Sequence, residues 1–427
     1  MLIFLIFFIP LIQTQTLLLS IEYARHGARN TSKKGYQLTS AGMRQHYILG
    51  KMLRKRYIED NKLLSERYCP DEILVNSSDS YRTIMSAQAQ LAGLYGENKG
   101  NLLNAQHHEK AIPPNEYDYT KWKEMLGLNT LIYGYADIPV YGVRDNVLTP
   151  SELCKGVTAM VKKYNEDNKN EKEEGGKKFK QVYKEVAEAF NMREEDVNLS
   201  SVLGLRDTLI SNLWEGDPVK NEEVSKKLIK DTEEVDKYLS YKYFFEVKYG
   251  DRIVHRIIAS GFLNTAKDLI SQKVNATLNR VNMPLKFVLF SGHDTMLNAI
   301  LMNLDINHSD ILVPFASAVF IELYQNKNNS FTVKVIFNEM DERVYALDNF
   351  YKLIEDNAYD PVKAYEYCNN FTFKLEGEEK EDTPIVVYLI GNFCTLAIIA
   401  SITVSIIYCM RRKNNYSTLE DPIYDTA

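Results

Sequence analysis

Leu17-Leu-Leu-Ser-Ile-Glu-Tyr-Ala-Arg-His-Gly-Ala-Arg29 carries an apolar run into a turn holding Arg25, His26 and Arg29. The run reads as a strand. At its mouth two fixed cations therefore flank an imidazole, with Gly27 beside it. A neutral imidazole can attack phosphorus, and guanidinium forks can neutralise phosphoryl oxygens in bidentate fashion. Alone, the turn equally describes a basic loop with a surface histidine. The rest of the chain decides between the two.

Just downstream, a polar loop (30–34) leads to Gln37-Leu-Thr-Ser-Ala-Gly-Met-Arg-Gln-His-Tyr47, which opens a helix running to about Asp60. Thr39 or Ser40 can cap it, and Met43, Tyr47, Gly50, Leu53 and Tyr57 recur at helical spacing as the expected buried stripe. Arg44, Lys51, Arg54, Lys55 and Arg56 fall mostly outside the stripe and read as a solvated face. His46 reads as a packing or surface residue. Glu72-Ile-Leu-Val-Asn76 is a second strand, and Ile84, Ala87, Leu91 and Tyr95 mark a helix over 84–95. Arg82 then falls in the turn or first helical turn, where free backbone N–H groups and the helix dipole attract anions. An arginine is unfavourable there by itself; a bound phosphate would offset that.

Farther along, residues 106–254 lose the alternating apolar pattern and are rich in Lys and Glu. They are expected to form a helical cap inserted over the site, with amphipathic helices around 179–190 and 224–239 and an exposed loop or hinge at Glu171–Lys178. A helix resumes over 256–278. Leu285-Lys-Phe-Val-Leu-Phe-Ser291 is a buried-type strand that delivers Gly292-His293-Asp294-Thr295, and a helix follows over 296–304. Two strands that each end in a histidine turn suit a ligand site at the carboxyl edge of an open parallel sheet. The runs 315–324 and 331–337 are expected to pair as a hairpin through the Asn-rich turn at 326–329. The fold class expected is a three-layer α/β/α core over residues 17–105 plus 255–375, with a mixed, mainly parallel sheet.

The two ends of the 427-residue chain read as targeting segments. Met1 to about Ile12 is almost wholly apolar and suits a signal peptide spanning 1–16, with cleavage between Gln13 and Thr16. Ile385–Met410 holds 26 residues without a charge and is followed by Arg411, Arg412 and Lys413. That predicts a transmembrane helix over 385–410 with residues 411–427 in the cytoplasm, the topology of a single-pass type I protein. The sequons at Asn30, Asn76, Asn198, Asn275, Asn307, Asn328 and Asn370 agree with export as glycosylation candidates. The tail Tyr416-Ser-Thr-Leu419 has the form of an adaptor-binding sorting signal. Of five cysteines, Cys394 and Cys409 fall in the span, so Cys69, Cys154 and Cys368 permit one disulfide and one odd thiol. A net charge of −6 without a long basic patch speaks against nucleic acid as a partner.

The stretches Arg-His-Gly-Ala-Arg at 25, Gln-Leu-Thr-Ser-Ala-Gly-Met-Arg-Gln-His-Tyr at 37, Ser-Tyr-Arg-Thr at 80, Gly-His-Asp-Thr at 292 and Pro-Phe-Ala-Ser at 314 jointly resemble the histidine acid phosphatases. These are the branch of the histidine phosphatase superfamily that includes lysosomal and prostatic acid phosphatases. The resemblance implies phosphate monoester hydrolysis without metal or cofactor. His26 would be the nucleophile that becomes phosphohistidine, and Arg25, Arg29, Arg82 and His293 would bind the phosphoryl oxygens. Asp294 would protonate the leaving alkoxide, which requires acid pH because a free carboxyl titrates near 4. It also implies a Cys154–Cys368 disulfide, a lysosomal or endosomal membrane, or the cell surface, as the location, and a homodimer as a candidate assembly. The chain departs from the family where Asn30-Thr31 replaces the usual proline, which puts a sequon near the pocket mouth. Rival readings are a phytase-like or lysophospholipid-phosphate hydrolase of identical chemistry, and a non-catalytic sorting or surface receptor. The receptor is disfavoured because all six chemical residues are present.

Overall fold

A computed structural model describes residues 15–30, 37–106, 111–239, 253–306 and 313–369, apart from positions 115, 117, 146 and 168. The first apolar run forms β1 (Gln15–Arg25), buried without interruption from Leu19 onward. Helix α1 (Ser40–Leu53) begins at Thr39, whose hydroxyl accepts from the Gly42 amide at 3.1 Å, and a π-helical stretch extends it over Arg54–Asp60. Next come β2 (Ile73–Ser78) and α2 (Tyr81–Leu94). The insertion supplies α3 (Thr120–Leu126), β3 (Tyr141–Val143), α4 (Pro150–Leu153), α5 (Lys155–Asp167), α6 (Lys169–Lys178), α7 (Lys180–Phe190), α8 (Leu199–Trp214) and α9 (Glu222–Leu239). The chain closes with α10 (Ile253–Leu278), β4 (Phe287–Gly292), α11 (Asp294–Asn303), β5 (Ala318–Asn326), β6 (Phe331–Phe337), β7 (Asp341–Ala346), α12 (Leu347–Asn357) and α13 (Pro361–Asn369).

All seven strands share one sheet in the order β3-β2-β4-β1-β5-β6-β7. The pairs β2·β3, β2·β4 and β1·β4 are parallel, and β1·β5, β5·β6 and β6·β7 are antiparallel. The sheet is thus evenly mixed, which corrects the expectation of a mainly parallel one. Short hairpin connections permit only antiparallel neighbours, and β7 adds the third antiparallel pair. Its sequence, Asp-Glu-Arg-Val-Tyr-Ala, opens with three charges, as befits an edge strand, and carries no alternating apolar pattern.

Alternation along β1 and β4 divides the two faces. Ala24, Phe287 and Leu289 pack with Leu49, Leu53, Ala87 and Leu91 of α1 and α2. Tyr23 and Phe290 instead meet Phe262 of α10, edge to face at 5.4 and 5.5 Å. Helices α1 and α2 touch backbone to backbone: a Cβ at Gly50 would lie 1.9 Å from the Gln90 carbonyl. Of the expected stripe, Gly50, Leu53 and Tyr57 are buried as expected, but this contact rotates the N-terminal part of α1 away from it. Its buried residues are Gly42, His46, Leu49, Gly50 and Leu53, while Met43 and Tyr47 are 39% exposed. The basic residues are not all solvated either. Arg56 grips the fully buried Glu322 with two bonds, of 2.7 and 2.9 Å, and Tyr57 and Tyr324 donate to the same carboxylate at 2.7 Å. Arg54 donates to the Leu94 carbonyl at 3.0 Å.

Within the insertion, α7, α8 and α9 share a small core of Phe179, Val186, Val202, Leu209, Leu228 and Val235. Two further expectations change here. Residues 169–178 are helical, because Lys and Glu favour helix strongly enough to carry Gly175 and Gly176. The insertion is also not wholly helical, since β3 pairs with β2 at the sheet's edge. Cys154 and Cys368 form a disulfide, and Cys69 is free. The leader expected to reach residue 16 meets β1, where Gln15 and Thr16 already pair with Asn326 and Gln325. Residues 1–14, the span at 385–410, the tail with Tyr416–Leu419, and the sequons Asn307 and Asn370 lie outside the described residues. Among the described residues, no helix is long and apolar enough to cross a membrane. Asn198, Asn275 and Asn328 are exposed and Asn30 is half-buried, but Asn76 sits inside β2 between β3 and β4, a poor place for a glycan.

A buried polar relay runs under β1. The Gln90 amide bridges Glu22 (2.8 Å) and His46 Nδ1 (3.1 Å), and His46 Nε2 lies 3.1 Å from the Arg25 carbonyl. Burial lowers the His46 pKa to about 4, so its ring is neutral and carries one N–H. The structure sets Gln90 Nε2 toward Glu22 and Gln90 Oε1 toward Nδ1. The Arg25 carbonyl can only accept, so the ring N–H goes to Arg25, and the ring is satisfied when the amide is turned over so that Nε2 donates to Nδ1. The amide oxygen then faces Glu22, which must be protonated. Burial raises the Glu22 pKa to about 8, in agreement. A folded pKa above the unfolded value of 4.5 means that the stabilisation is complete below 4.5 and is lost as pH rises toward 8. Glu22→Gln is accordingly expected to leave stability at pH 4.5 little changed and to raise it by on the order of 3 kcal/mol at pH 7.5. Denaturant unfolding at the two pH values checks this, and equal effects at both would contradict it.

Candidate active site

Parallel pairing of β1 with β4 sets Arg25 opposite Gly292, so the two histidine turns leave the sheet at one point. The His26 amide donates to the Gly292 carbonyl at 3.0 Å, and the His26 carbonyl accepts from Ala316 N at 3.2 Å. Ala316 is held at φ +60, a strained conformation for alanine that clasps the turn from the other side. Gly27 lets the turn lie against α1, since a Cβ there would be 2.5 Å from the Gly42 carbonyl. His26 Nδ1 lies 2.8 Å from the Gly27 carbonyl and must carry the proton, which leaves the Nε2 lone pair for attack. Burial, then the charges of Arg25, His293 and Arg82, hold the His26 pKa well below its usual value. The imidazole resists protonation more than a free histidine does.

Arg25 is almost wholly buried at the end of β1. Its Nη1 donates to the Val313 carbonyl, and its Nη2 is 2.9 Å from both Asp294 Oδ2 and Asp207 Oδ2. The guanidinium lies over Phe315 at 4.2 Å, which accounts for the Pro-Phe-Ala-Ser motif. Arg29 reaches Asp207 Oδ2 at 3.3 Å. Arg82, the second residue of α2, donates to Ser80 Oγ at 2.9 Å and to His293 Nδ1 at 3.3 Å. All three arginines therefore converge on the histidine turns.

His293 meets His26 edge to face at 5.6 Å. Because Arg82 donates to Nδ1, the ring proton is on Nε2, 2.9 Å from Ser78 Oγ. Donation by His293 to a phosphoryl oxygen therefore requires the Arg82 contact to give way and the ring to gain a proton at Nδ1. Asp294 opens α11, and its Oδ1 accepts from Thr295 N at 2.7 Å. Burial pushes the Asp294 pKa up, but Arg25, the Thr295 amide, His293 and Arg29 outweigh it, and the carboxyl lies below its usual range. Charge on Arg25 thus controls when Asp294 can hold a proton.

The six residues expected from the sequence come together. Two more that the sequence did not announce join them. Ser78 ends β2 and orients His293, with its hydroxyl 2.9 Å from Thr83 Oγ1. Asp207 comes from α8 of the insertion and is 3% exposed. In sequence it lies within Leu-Arg-Asp-Thr-Leu, indistinguishable from the solvated charges around it. A cleft of about 490 Å³ opens beside the arginines, lined by Arg29, Arg82, Met192, Ser201, Gly204, Leu205 and Thr208. Among the described residues no cluster of side chains suits a metal ion.

The profile of the histidine phosphatase superfamily (branch 2) matches residues 21–338, which spans both histidine turns and the whole insertion. The chain belongs to that superfamily. Its relatives include the lysosomal acid phosphatase of Xenopus laevis, 28% identical over 79% of this chain and 73% of that protein. The human lysosomal acid phosphatase is 29% identical over 73% of this chain and 65% of that protein, and the mouse prostatic acid phosphatase 25% identical over 73% and 72%. Among solved structures, the Hafnia alvei phytase in complex with myo-inositol hexakis sulphate superposes with a TM-score of 0.53 at 12% identity, covering 82% of this chain and 98% of that one. The Bifidobacterium longum multiple inositol polyphosphate phosphatase superposes with a TM-score of 0.52 at 12% identity, covering 82% and 95%. At such identities the structural likeness establishes the fold.

Ser78→Ala is expected to release the His293 ring and lower kcat/KM on an aryl phosphate about tenfold, since small misplacements of a phosphate-binding group are costly. The melting temperature should change little. An unchanged kcat/KM would show that Arg82 alone orients the ring.

Proposed function

We propose that the protein is an acid phosphatase that hydrolyses phosphate monoesters through a covalent phosphohistidine on His26. The observation that carries this reading is the His26 tautomer. A ring with its proton held on Nδ1 presents Nε2 in the field of Arg25 and Arg82, and Asp294 is paired with Arg25. Nε2 would attack phosphorus as the P–O bond to the leaving group breaks, and Arg25, Arg29 and Arg82 would neutralise the oxygens. The leaving oxygen would take its proton from Asp294. Water would then attack the phosphohistidine, the N–P bond would break, and Asp294 would accept the proton from water.

Asp294 must be loaded with a proton before the first step, although Arg25 keeps its pKa low. A phosphoryl anion that engages Arg25 removes this stabilising partner and adds negative charge nearby, and both raise the pKa. Substrate binding itself would thus arm the acid, and the armed fraction falls as pH rises. The cleft favours substrates with one phosphate, because its cations are Arg29 and Arg82 and the rest of its wall is small or apolar. A phytase-like preference for several phosphates would call for more cations there. The acid phosphatase relatives and the uncharged stretch at 385–410 support a lysosomal or endosomal membrane location with the folded part in the lumen.

With p-nitrophenyl phosphate and EDTA, hydrolysis should be highest on the acid side between pH 4 and 8, and acid-labile phosphate should be trapped on the protein. His26→Ala should abolish both. Asp294→Asn should slow phenyl phosphate by about 100-fold or more and p-nitrophenyl phosphate far less, because p-nitrophenolate leaves without a proton. Equal losses on the two esters would refute Asp294 as the proton donor.

A further inference from the structure

We infer that Asp207, carried into the site by the helical insertion, is a resident counter-anion that competes with phosphate for Arg25 and Arg29. The inference rests on the acid phosphatase reading for its consequence in turnover, but its core is a statement about phosphate affinity. A single carboxylate oxygen, Asp207 Oδ2, lies 2.9 Å from Arg25 Nη2 and 3.3 Å from Arg29 Nη2. A bridging phosphoryl oxygen would take the same contacts. A phosphate that uses both guanidiniums must therefore share them with Asp207 or push it aside.

The helix that carries Asp207 is tied to the core at its C-terminal end. Past the C-terminus of α8, Glu215 Oε1 accepts from the Ala41 amide at 2.8 Å, which pins α8 to the start of α1. Trp214 stacks edge to face on Phe315 at 6.0 Å, and Phe315 underlies Arg25. The faces of α8 on either side of Asp207 border different spaces. Gly204, Leu205 and Thr208 line the cleft beside Arg29 and Arg82. Arg206, Ile210 and Trp214 line a separate cavity of about 340 Å³ that reaches Arg25. The carboxylate thus stands on the partition, aimed at the two cations.

Such a carboxylate has a use in a two-step hydrolysis. The product is inorganic phosphate, held by the same arginines that stabilise the transition state. Tight ground-state binding of product does not speed the chemistry and slows the cycle. Asp207 supplies a standing counter-charge at Arg25 and Arg29 that weakens phosphate held by both. The insertion thereby sets affinity as well as access.

The test measures phosphate affinity directly, through the melting-temperature shift of wild type, Asp207→Asn and Asp207→Glu with inorganic phosphate at pH 5. Inhibition constants and p-nitrophenyl phosphate kinetics are measured in parallel. Asp207→Asn keeps the shape and removes the charge. It is expected to bind phosphate about fivefold more tightly, with KM lowered and kcat reduced by slow release. A merely structural role predicts weaker phosphate and a higher KM. Asp207→Glu pushes a carboxylate deeper between the arginines and should weaken phosphate, and it carries the test if Asp207→Asn does not fold. Unchanged or weaker phosphate binding in Asp207→Asn, or unchanged binding in Asp207→Glu, overturns the inference. A wild type that binds phosphate but hydrolyses no ester would instead overturn the acid phosphatase reading and leave this one standing.

Discussion

The pairing of β1 with β4 is the contact on which the site depends. Arg25 and Gly292 are neighbours in the sheet although most of the chain separates them in sequence. The whole insertion must therefore be looped out before His26 and His293 can meet, a long-range closure that is slow to form. Once made, it is buried on both faces, and that burial has a consequence for polar groups. Ser20, Glu22 and Glu322 are fully enclosed beneath α1 and α2, each with a partner supplied by a helix. The helices that cover the sheet are thus selected for hydrogen bonding as much as for apolar surface.

Charge in the site follows from one guanidinium with too many claimants. Arg25 faces two carboxylates through one nitrogen and a carbonyl through the other, above an aromatic ring. Each claimant comes from a different part of the chain: Asp294 from the β4 turn, Asp207 from the insertion, and Phe315 and Val313 from the segment before β5. A phosphoryl group is one more claimant. Its arrival redistributes contacts that already exist, so the proton on Asp294 and the hold of Asp207 are linked through the same nitrogen.

Legibility in the sequence followed the range of the interaction. β1, β2 and β4 are apolar runs bounded by polar turns, and both histidine turns were readable as motifs at their ends. β3 is only three residues long and β7 is charged, so neither carries a pattern that burial would impose. Helix α1 is legible only in part, with Gly50, Leu53 and Tyr57 of the expected stripe buried, because it has two apolar stripes. One holds Gly42, Leu49 and Leu53 and is buried, whereas Met43, Tyr47, Ile48 and Met52 stay exposed. Close packing on α2 through glycine decided between them, and periodicity alone could not. Asp207 was invisible for a related reason. Its role is conferred by how α8 docks on the core, and no local signal marks a charged helix residue as inward-facing.

The disulfide between Cys154 and Cys368 joins the insertion, at the residue between α4 and α5, to the last described helix, across a sequence separation of 214. Both histidine-bearing β4 and the arginine-bridging α8 lie inside that loop. A protease that nicks any exposed link between the two cysteines leaves its fragments tied by a covalent thread, so β4 cannot drift away from β1 after a single cut. In a degradative compartment, catalytic lifetime would then be set by the number of cuts needed to free a strand rather than by the first one.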